Sequence, residues 1–310
     1  MNARSVLITG GSSGLGFSCA RHLARLGGHH VALGAPNVAA AEAPARRLRA
    51  SGPRTEVSAV ELDLGSLASV RGFPGRLVAA GVPPLDAVVC NAGVQYVSGR
   101  RQTVDGFEAT FAVNHLGHFL LVNLLLPKLA PGARVVVVSS TTHDPSRWTG
   151  MRPPVYAPPE QLAYRRPTAR QGQSDFGQRA YTTSKLCNLL FAYELARRLP
   201  SMGRPDVTVD VYDPGAVPGT GLVRDWPVAA RLFVGALRPL LRVVPGFSTA
   251  RRSGAFMAGL TTGPRPAGEE PRYFSIDRLT RSSDASYDLQ KARELWTGSA
   301  ALVGLNEAGR

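Results

Sequence analysis

The chain has 310 residues, of which 44% are hydrophobic and 19% are charged. This composition supports a large buried core and excludes an intrinsically disordered protein, and arginines interrupt the most apolar late stretch, so we expect no membrane span. The formal net charge is +14, but the basic residues are spread along the chain without a nucleic-acid-binding motif, so we also expect no nucleic-acid partner.

The three cysteines of the chain are Cys19, Cys90 and Cys187. Their number and spacing match neither a disulfide framework nor a metal site. The N-terminal residues lead straight into an apolar strand pattern, without the features of a signal peptide. These observations predict a cytoplasmic protein with reduced cysteines and no structural metal.

Short apolar runs alternate with amphipathic stretches along most of the chain. The predicted strands are 5–8, 30–33, 57–62, 87–90, 134–138 and 207–212. The predicted helices are 14–26, 40–50, 67–80, 106–129 and 181–199. Such alternation forms βαβ units, so it predicts the α/β class: one doubly wound, mostly parallel Rossmann-type sheet with helices on both faces. No linker divides the pattern, so we expect a single domain over residues 1–310.

Two stretches depart from this alternation. Residues 144–179 are rich in proline, arginine and glutamine and are too long for an ordinary loop, so they are interpreted as an insertion. Residues 220–262 are apolar and basic, and are interpreted as a lid over the substrate. Both stretches begin at the carboxyl end of a predicted strand, where open α/β sheets bind ligands, so we expect both to wall a pocket.

Glycines recur between the first predicted strand and the first predicted helix, in the segment Thr9–Gly16. A glycine turn that opens a helix presents unpaired backbone N–H groups and the positive end of the helix dipole to an anion such as pyrophosphate. The residues of this segment that we expect to bind a dinucleotide are Thr9, Gly10, Ser12, Ser13, Gly14, Leu15 and Gly16.

A tyrosine and a lysine lie four residues apart in a later predicted helix, at Tyr181 and Lys185. This spacing puts both side chains on one helix face. A nearby cation favours the phenolate, so we expect Lys185 to lower the pKa of Tyr181 toward the range useful for acid–base catalysis. Ser140, at the end of the fifth predicted strand, is expected to offer a hydroxyl group to a carbonyl oxygen in the same pocket.

With these segments in this order, the sequence resembles the short-chain dehydrogenase/reductase family over about residues 5–221. Thr9–Gly16 is similar to the family's TGxxxGxG turn, and Ser140, Tyr181 and Lys185 are similar to its catalytic residues. The resemblance implies that Asn114 is the fourth catalytic residue and holds a water in a proton relay.

The same resemblance implies further contacts to a nicotinamide dinucleotide. Asp63 stands where the family binds the adenine, and Gly219 stands where it usually has a threonine, so the adjacent Thr220 is expected to anchor the carboxamide. The implied cofactor-binding residues outside the glycine turn and the catalytic pair are Asp63, Leu64, Asn91, Ala92, Gly93, Pro214, Gly215, Val217 and Thr220.

The residues after the second predicted strand bear on the choice of cofactor. In relatives, an arginine there binds the 2′-phosphate of NADP and an aspartate binds the ribose of NAD. Here the stretch 34–37 has neither residue. Since no carboxylate repels a phosphate, and Ser12 and Asn37 are able to donate hydrogen bonds, we expect NADP(H), with NAD(H) left open.

Within the family, the sequence resembles the branch of retinol dehydrogenases and light-dependent protochlorophyllide reductases, on the segments 114–121 and 184–188. The resemblance implies an oxidoreductase that transfers a hydride between nicotinamide and a C=O, C=N or alcohol group of an apolar small molecule, polycyclic ones included. The expected acid–base group is Tyr181. Light-dependent reduction of a C=C bond and a non-catalytic dinucleotide-binding regulator stay open as alternatives, as does the choice between a monomer and a dimer or tetramer.

Several residues near the expected pocket are candidates for substrate contact. They are Ser140, His143, Trp148, Tyr181 and Trp226. Another pair, His115 and His118, has a spacing that a metal ion could use, but no carboxylate or cysteine joins it. We therefore expect these two histidines to pack within the helix layer.

Overall fold

The structure, a computed structural model, describes residues 4–52, 54–218, 225, 246–264 and 271–305. In this part of the chain the strands are β1 (Arg4–Thr9), β2 (His29–Ala35), β3 (Glu56–Glu61), β4 (Leu85–Cys90), β5 (Leu129–Val138), β6 (Thr208–Asp213), β7 (Arg272–Ser275) and β8 (Arg278–Thr280). They form one sheet in the order β3-β2-β1-β4-β5-β6-β7-β8. Strands β1 to β7 pair in parallel, and β8 is antiparallel to β7.

Helices connect the parallel strands. They are α1 (Gly14–Leu26), α2 (Val38–Arg49), α3 (Leu67–Ala79), α4 (Ala109–Phe111), α5 (Gly117–Leu125), α6 (Pro159–Ala163), α7 (Gln173–Arg198), α8 (Ala250–Thr262) and α9 (Leu289–Leu302). The order of the sheet reverses between β1 and β4, and ligands of doubly wound sheets bind at the carboxyl ends of the strands at such a point. The predicted α/β class and doubly wound parallel sheet are confirmed.

The core lies on both faces of the sheet because successive strand side chains point in opposite directions. In β1, Leu7 packs into the cluster beneath α3, α5 and α7. Its neighbours Val6 and Ile8 pack into the second cluster, beneath α1 and α8. The continuous apolar strands of the sequence are therefore explained by burial on both faces.

The long helix predicted over 106–129 is divided in the structure. A π-helical turn, Ala112–Leu116, joins α4 to α5, and a 3₁₀ turn, Leu126–Lys128, follows. The segment Ala109–Lys128 is long and apolar enough to cross a membrane, with a mean hydropathy of 1.4, but 89% of it is buried inside the protein. π-Turns are frequent at functional sites, and this one contains Asn114.

The described parts of both irregular stretches contain helices. The insertion at 144–179 contains α6 and the first turns of α7, and the Tyr156 hydroxyl donates a hydrogen bond to the main-chain oxygen of Lys291 in α9 at 3.1 Å. The end of the predicted lid forms α8, which packs on α1. A Cβ atom on Gly254 of α8 would lie 2.6 Å from Ser18 Cβ, so glycine permits this close packing. Residues 220–224 and 226–245 of the lid lie outside the described residues.

Candidate active site

The turn between β1 and α1 needs glycine at three of its positions. Gly10 and Gly14 have φ angles of +64° and +56°, which side chains rarely adopt. Gly16 has no room for a side chain, because a Cβ atom there would lie 2.6 Å from both Asn91 Nδ2 and the main-chain oxygen of Gly10. The turn therefore holds its backbone in a conformation and at a distance that only glycine allows.

The amino terminus of α1 has the features of an anion site. Its N-cap residue, Ser13, makes no side-chain hydrogen bond to the helix, and no acidic residue lies in the first turn. The N–H groups of that turn therefore have no side-chain cap, and the helix dipole favours negative charge beside them. Ser12 and Ser13 lie at the surface, whereas Leu15 is buried in the core. These features fit the pyrophosphate of a dinucleotide.

The Thr9 hydroxyl joins this turn to the end of β4. Its oxygen accepts hydrogen bonds from the backbone N–H groups of Asn91 and Ala92, both at 2.9 Å. The Asn91 side chain in turn donates to the main-chain oxygen of Thr9 at 2.8 Å. The two loops that flank the reversal point of the sheet are thus held together by three hydrogen bonds.

Two expected adenosine contacts lie near the ends of β2 and β3. Asn37 Oδ1 accepts the N–H of Ala40 at 2.9 Å and so caps α2, which leaves its amide N–H₂ group at the surface. Asp63 is exposed, and its Oδ1 accepts the N–H of Gly65 at 2.8 Å. The adjacent Leu64 is buried, so its side chain belongs to the core.

Asn114 uses its whole side chain within the protein. Its Oδ1 accepts the N–H of Val94 at 2.8 Å, and its Nδ2 donates to the main-chain oxygen of Val94 and to Ser184 Oγ at 3.0 and 2.9 Å. This side chain therefore ties the loop after β4 to α7. A Cβ atom on Gly93 would lie 3.3 Å from Asn114 Oδ1, so the Asn91–Gly93 segment packs directly on it.

Tyr181, Lys185 and Ser140 lie together where the sequence places them. Ser140 lies close enough to Tyr181 to lower the pKa of its phenol, and Lys185 Nζ lies 5.6 Å from the centre of the Tyr181 ring. Lys185 Nζ donates to the main-chain oxygen of Val138, the last residue of β5, at 3.2 Å. The phenol, the ammonium group and the Ser140 turn thus meet at the carboxyl end of β5.

Burial controls the protonation of this group. It raises the pKa of Tyr181 above the usual range of a phenol, and the Ser140 side chain opposes that increase. Burial also lowers the pKa of Lys185 to about 8. The prediction that the pKa of Tyr181 is lowered was therefore wrong for the protein alone, because burial disfavours the phenolate.

Comparison with known proteins gives one family for this architecture. The family model described as short chain dehydrogenase matches residues 4–151. Retinol dehydrogenase 14 from Homo sapiens is 37% identical, over 98% of this chain and 88% of its own length. Polyprenol dehydrogenase from Danio rerio is 35% identical, over 98% of this chain and 88% of its own length. Protochlorophyllide reductase from Daucus carota is 33% identical, over 97% of this chain and 78% of its own length.

The chain belongs to the short-chain dehydrogenase/reductase family. A crystal structure of an uncharacterized protein from Mycobacterium Paratuberculosis has the same fold, with a TM-score of 0.69, 33% identity and coverage of 98% of this chain and 94% of that one. The predicted family, its branch and the enzyme class are confirmed. The protein is thus an oxidoreductase with an NAD(P)-binding Rossmann fold, and the fit of the α1 turn to an anion agrees with such a dinucleotide.

Two expected substrate contacts of this family member differ widely in exposure. His143 is 2% exposed; its Nδ1 donates to the main-chain oxygen of Ser140 at 2.7 Å, and its Nε2 accepts the N–H of Ser283 at 3.2 Å. The loop after β8 covers His143, and its contact with substrate stays a prediction. Trp148 is 93% exposed. Thr220 and Trp226, expected to bind carboxamide and substrate, lie outside the described residues.

A buried carboxylate at the site was not predicted. Asp213 is fully buried at the end of β6, directly before the Pro214–Gly215 turn. An acidic residue at the end of an apolar strand is a signal that the sequence carries, but its partners in the turn after β5 and in β7 are distant in sequence. Among the described residues, no group of three or more histidine, cysteine or acidic side chains is arranged for a metal ion.

The two helix histidines are buried and neutral. His118 Nε2 lies 2.9 Å from the Thr9 hydroxyl and its Nδ1 lies 3.1 Å from the main-chain oxygen of Asn114, so the proton is on Nδ1 and Thr9 donates to Nε2. His115 Nε2 lies 2.8 Å from Ser299 Oγ of α9. Burial lowers the pKa of His118 to about 4 and that of His115 to about 3.

These histidines should make the fold sensitive to acid. In the unfolded chain each ring takes up a proton near pH 6.5, but in the folded protein only near pH 4 or 3. Between those values the unfolded state binds more protons, so the free energy of unfolding falls as the pH falls. We expect the melting temperature to drop between pH 7 and 4.5, and His115→Gln to reduce that drop. His22→Gln, on the outer part of α1, is the control; an equal effect of both variants would contradict the prediction.

Proposed function

We propose that the protein is an NADP(H)-dependent oxidoreductase that transfers a hydride between the nicotinamide and the C=O or alcohol group of an apolar small molecule. The observation that carries the proposal is the meeting of Tyr181, Lys185 and Ser140 at the carboxyl end of β5. The adjacent reversal point of the sheet, with the uncapped amino terminus of α1, is suited to a dinucleotide.

The proposed roles follow from the chemistry of each side chain. The Tyr181 phenol, kept protonated by its burial, donates the proton to the substrate oxygen during reduction, and accepts it in the reverse direction. The Ser140 hydroxyl donates a hydrogen bond to the same oxygen as negative charge develops. The Asn114 side chain is fully engaged with Val94 and Ser184, so in the relay it acts by fixing the π-turn, and its main-chain oxygen is the group proposed to hold the water.

The residues that would hold the dinucleotide are distributed along the carboxyl edge. When bound, the dinucleotide supplies the hydride. The turn at 9–16 would hold the pyrophosphate, Asp63 and Leu64 the adenine, and the segments 91–93 and 214–217 the nicotinamide side. Lys185 would hold the ribose, and its ammonium group, with a pKa of about 8, carries its charge at neutral pH. Asn37 and Ser12 would donate hydrogen bonds to the 2′-phosphate.

The proposed substrate class is a long-chain isoprenoid alcohol or its carbonyl form. Retinol dehydrogenase 14 and polyprenol dehydrogenase are named for such alcohols, and the chain is similar to both over 98% of its length. The insertion at 144–179 is proposed to select the substrate. Similarity to a protochlorophyllide reductase keeps light-dependent reduction of a C=C bond as the second candidate.

The proposal is tested by oxidation of NADPH and NADH in the dark. All-trans-retinal and farnesal are the carbonyl probes, with loss of absorbance of the reduced nicotinamide as the readout. We expect NADPH consumption with at least one probe. Binding of NADPH without turnover of either probe, in darkness or under illumination with protochlorophyllide, would favour the non-catalytic alternative. Turnover that requires light would support the second candidate.

A single substitution should reverse the cofactor preference. Asn37→Asp keeps the cap of α2, because aspartate is as good an N-cap as asparagine, but it adds a carboxylate beside the expected 2′-phosphate. We expect the ratio of the Kd for NADH to that for NADPH to fall by about tenfold or more, which corresponds to about 1.4 kcal/mol. Asn37→Ser keeps a capping oxygen without the charge and is the control. An unchanged ratio in Asn37→Asp would exclude this position from the ribose site.

A further inference from the structure

Asp213 is the fully buried carboxylate at the centre of the candidate site. Its Oδ1 accepts the N–H of Gly215 at 2.9 Å. Its Oδ2 accepts hydrogen bonds from the hydroxyl groups of Thr141, Tyr273 and Ser275, the last two at 3.1 and 3.4 Å. One carboxylate thus joins the turn after β5, the turn after β6 and the end of β7.

The turn after β7 is strained, and Asp213 helps to hold it. Ile276 has a φ angle of +61°, the one positive φ of a non-glycine residue in the described ranges, and it is β-branched. Its N–H donates to the main-chain oxygen of Asp213 at 2.7 Å, and its Cγ1 lies 3.0 Å from where a Cβ atom on Gly215 would be. Strain of this kind persists only where the surroundings determine the conformation, and it concentrates at functional sites.

Asp213 is connected to the proposed catalytic groups by two routes. Thr141, which binds the carboxylate, follows Ser140 directly, and Ser140 contacts the Tyr181 phenol. The second route runs through the sheet. Lys185 Nζ donates to the main-chain oxygen of Val138 in β5, and Val138 is the register partner of Tyr212, which directly precedes Asp213 in β6.

We propose that Asp213 is a positioning residue for the reaction. Its carboxylate fixes the Ser140 turn and the Pro214–Gly215 turn relative to each other, and its negative charge favours the ammonium form of Lys185. This inference rests on the proposed function. The role is not that of a catalytic residue, because both carboxylate oxygens already accept hydrogen bonds from hydroxyl and N–H groups of the protein.

The electrostatic part of the proposal has a defined sign. The negative charge raises the pKa of both Tyr181 and Lys185, since it disfavours the phenolate and favours the ammonium group. Loss of the charge must therefore move both titrations to lower pH. The titratable and charged groups that face Asp213 or this pair are His118, His143, Tyr181, Lys185, Tyr212 and Tyr273.

Asp213→Asn separates the charge from the hydrogen bonds. An amide at this position still accepts the Gly215 N–H and can donate to the hydroxyl oxygens of Thr141 and Tyr273. The experiment is the pH dependence of kcat for reduction of a carbonyl probe by NADPH. We expect the alkaline limb, where Lys185 with its pKa of about 8 loses its proton before Tyr181 does, to move to lower pH by about one unit. Asp277→Asn removes an exposed carboxylate of the adjacent turn and should leave the limb in place.

The positioning part has its own variant. Thr141→Val removes the link between Asp213 and the Ser140 turn but keeps the charge, so kcat should fall with the alkaline limb unmoved. A folded Asp213→Asn protein with an unshifted limb would overturn the electrostatic role, and an unchanged kcat in Thr141→Val would overturn the positioning role. If wild-type protein reduces no probe, or Tyr181→Phe retains full activity, the proposed function itself fails, and that outcome is distinct from both.

Discussion

Replacing Tyr181 with phenylalanine is expected to reduce kcat for carbonyl reduction by about 10²–10⁴-fold, the usual contribution of a positioned acid–base group. Tyr181 is a buried residue of α7, 4% exposed, so phenylalanine keeps the contacts of the ring and removes only the hydroxyl group. Affinity for NADPH should change by less than about tenfold, because a single lost hydrogen bond is worth about 1 kcal/mol. Steady-state rates and nicotinamide fluorescence titrations measure the two effects separately.

Tyr193→Phe is the matched control for this experiment. Tyr193 lies on the same helix, twelve residues from Tyr181, is buried, and hydrogen-bonds to Ser282 Oγ at 2.7 Å. It should lose stability without a large loss of kcat. Equal activities of Tyr181→Phe and wild type would show that another group donates the proton, and a loss of both activity and NADPH binding would indicate damage to the fold.

The largest expected effect on stability comes from a buried ion pair between the last two parallel strands. Asp210 of β6 and Arg272 of β7 are each 2% exposed and form two hydrogen bonds, at 2.8 and 2.9 Å. Asp210→Asn removes a buried negative charge from beside the Arg272 guanidinium group. We expect the free energy of unfolding to fall by about 3–5 kcal/mol, a large share of the roughly 5–15 kcal/mol of a typical protein. Urea denaturation measures the change.

The control for this pair is an exposed one in the neighbouring turn. The side chains of Arg252 and Asp277 are 60% and 39% exposed, and Arg252 Nη2 lies 2.5 Å from Asp277 Oδ2. Asp277→Asn should change the free energy of unfolding by less than about 1 kcal/mol, because water screens such pairs. If Asp277→Asn and Asp210→Asn lower the free energy of unfolding equally, burial is not what makes the Asp210–Arg272 pair important.

The sequence predicted the central architecture because the pattern of buried strands is local. Each of the six predicted strands is present, and β1 to β6 are in the order of a doubly wound sheet. The strands β7 and β8 were not predicted. They have four and three residues, and β8 is exposed, so neither presents an apolar run long enough to recognise. The helix containing Tyr181 begins at Gln173, eight residues before the predicted start, because polar residues obscure its first turns.

The candidate site divides in the same way. The glycine turn and the Tyr181–Lys185 spacing are short motifs whose geometry follows from local backbone structure, and the structure places both at the carboxyl edge of the sheet. The pKa of Tyr181 was predicted with the wrong sign. Sequence spacing shows that a lysine is near but not that the phenol is buried, and here burial is the larger effect.

The sequence by itself determined the α/β class, the positions of the first six strands, the glycine turn and the two elements that carry Ser140 and Tyr181. Only the tertiary structure decided which distant groups surround them. It buried His143 beneath the loop after β8, fixed His118 against Thr9, and enclosed Asp213 among residues 60 to 72 positions away. Hydrophobic periodicity states which face of an element is buried but not what packs against it, and the protonation of a buried group depends on those partners.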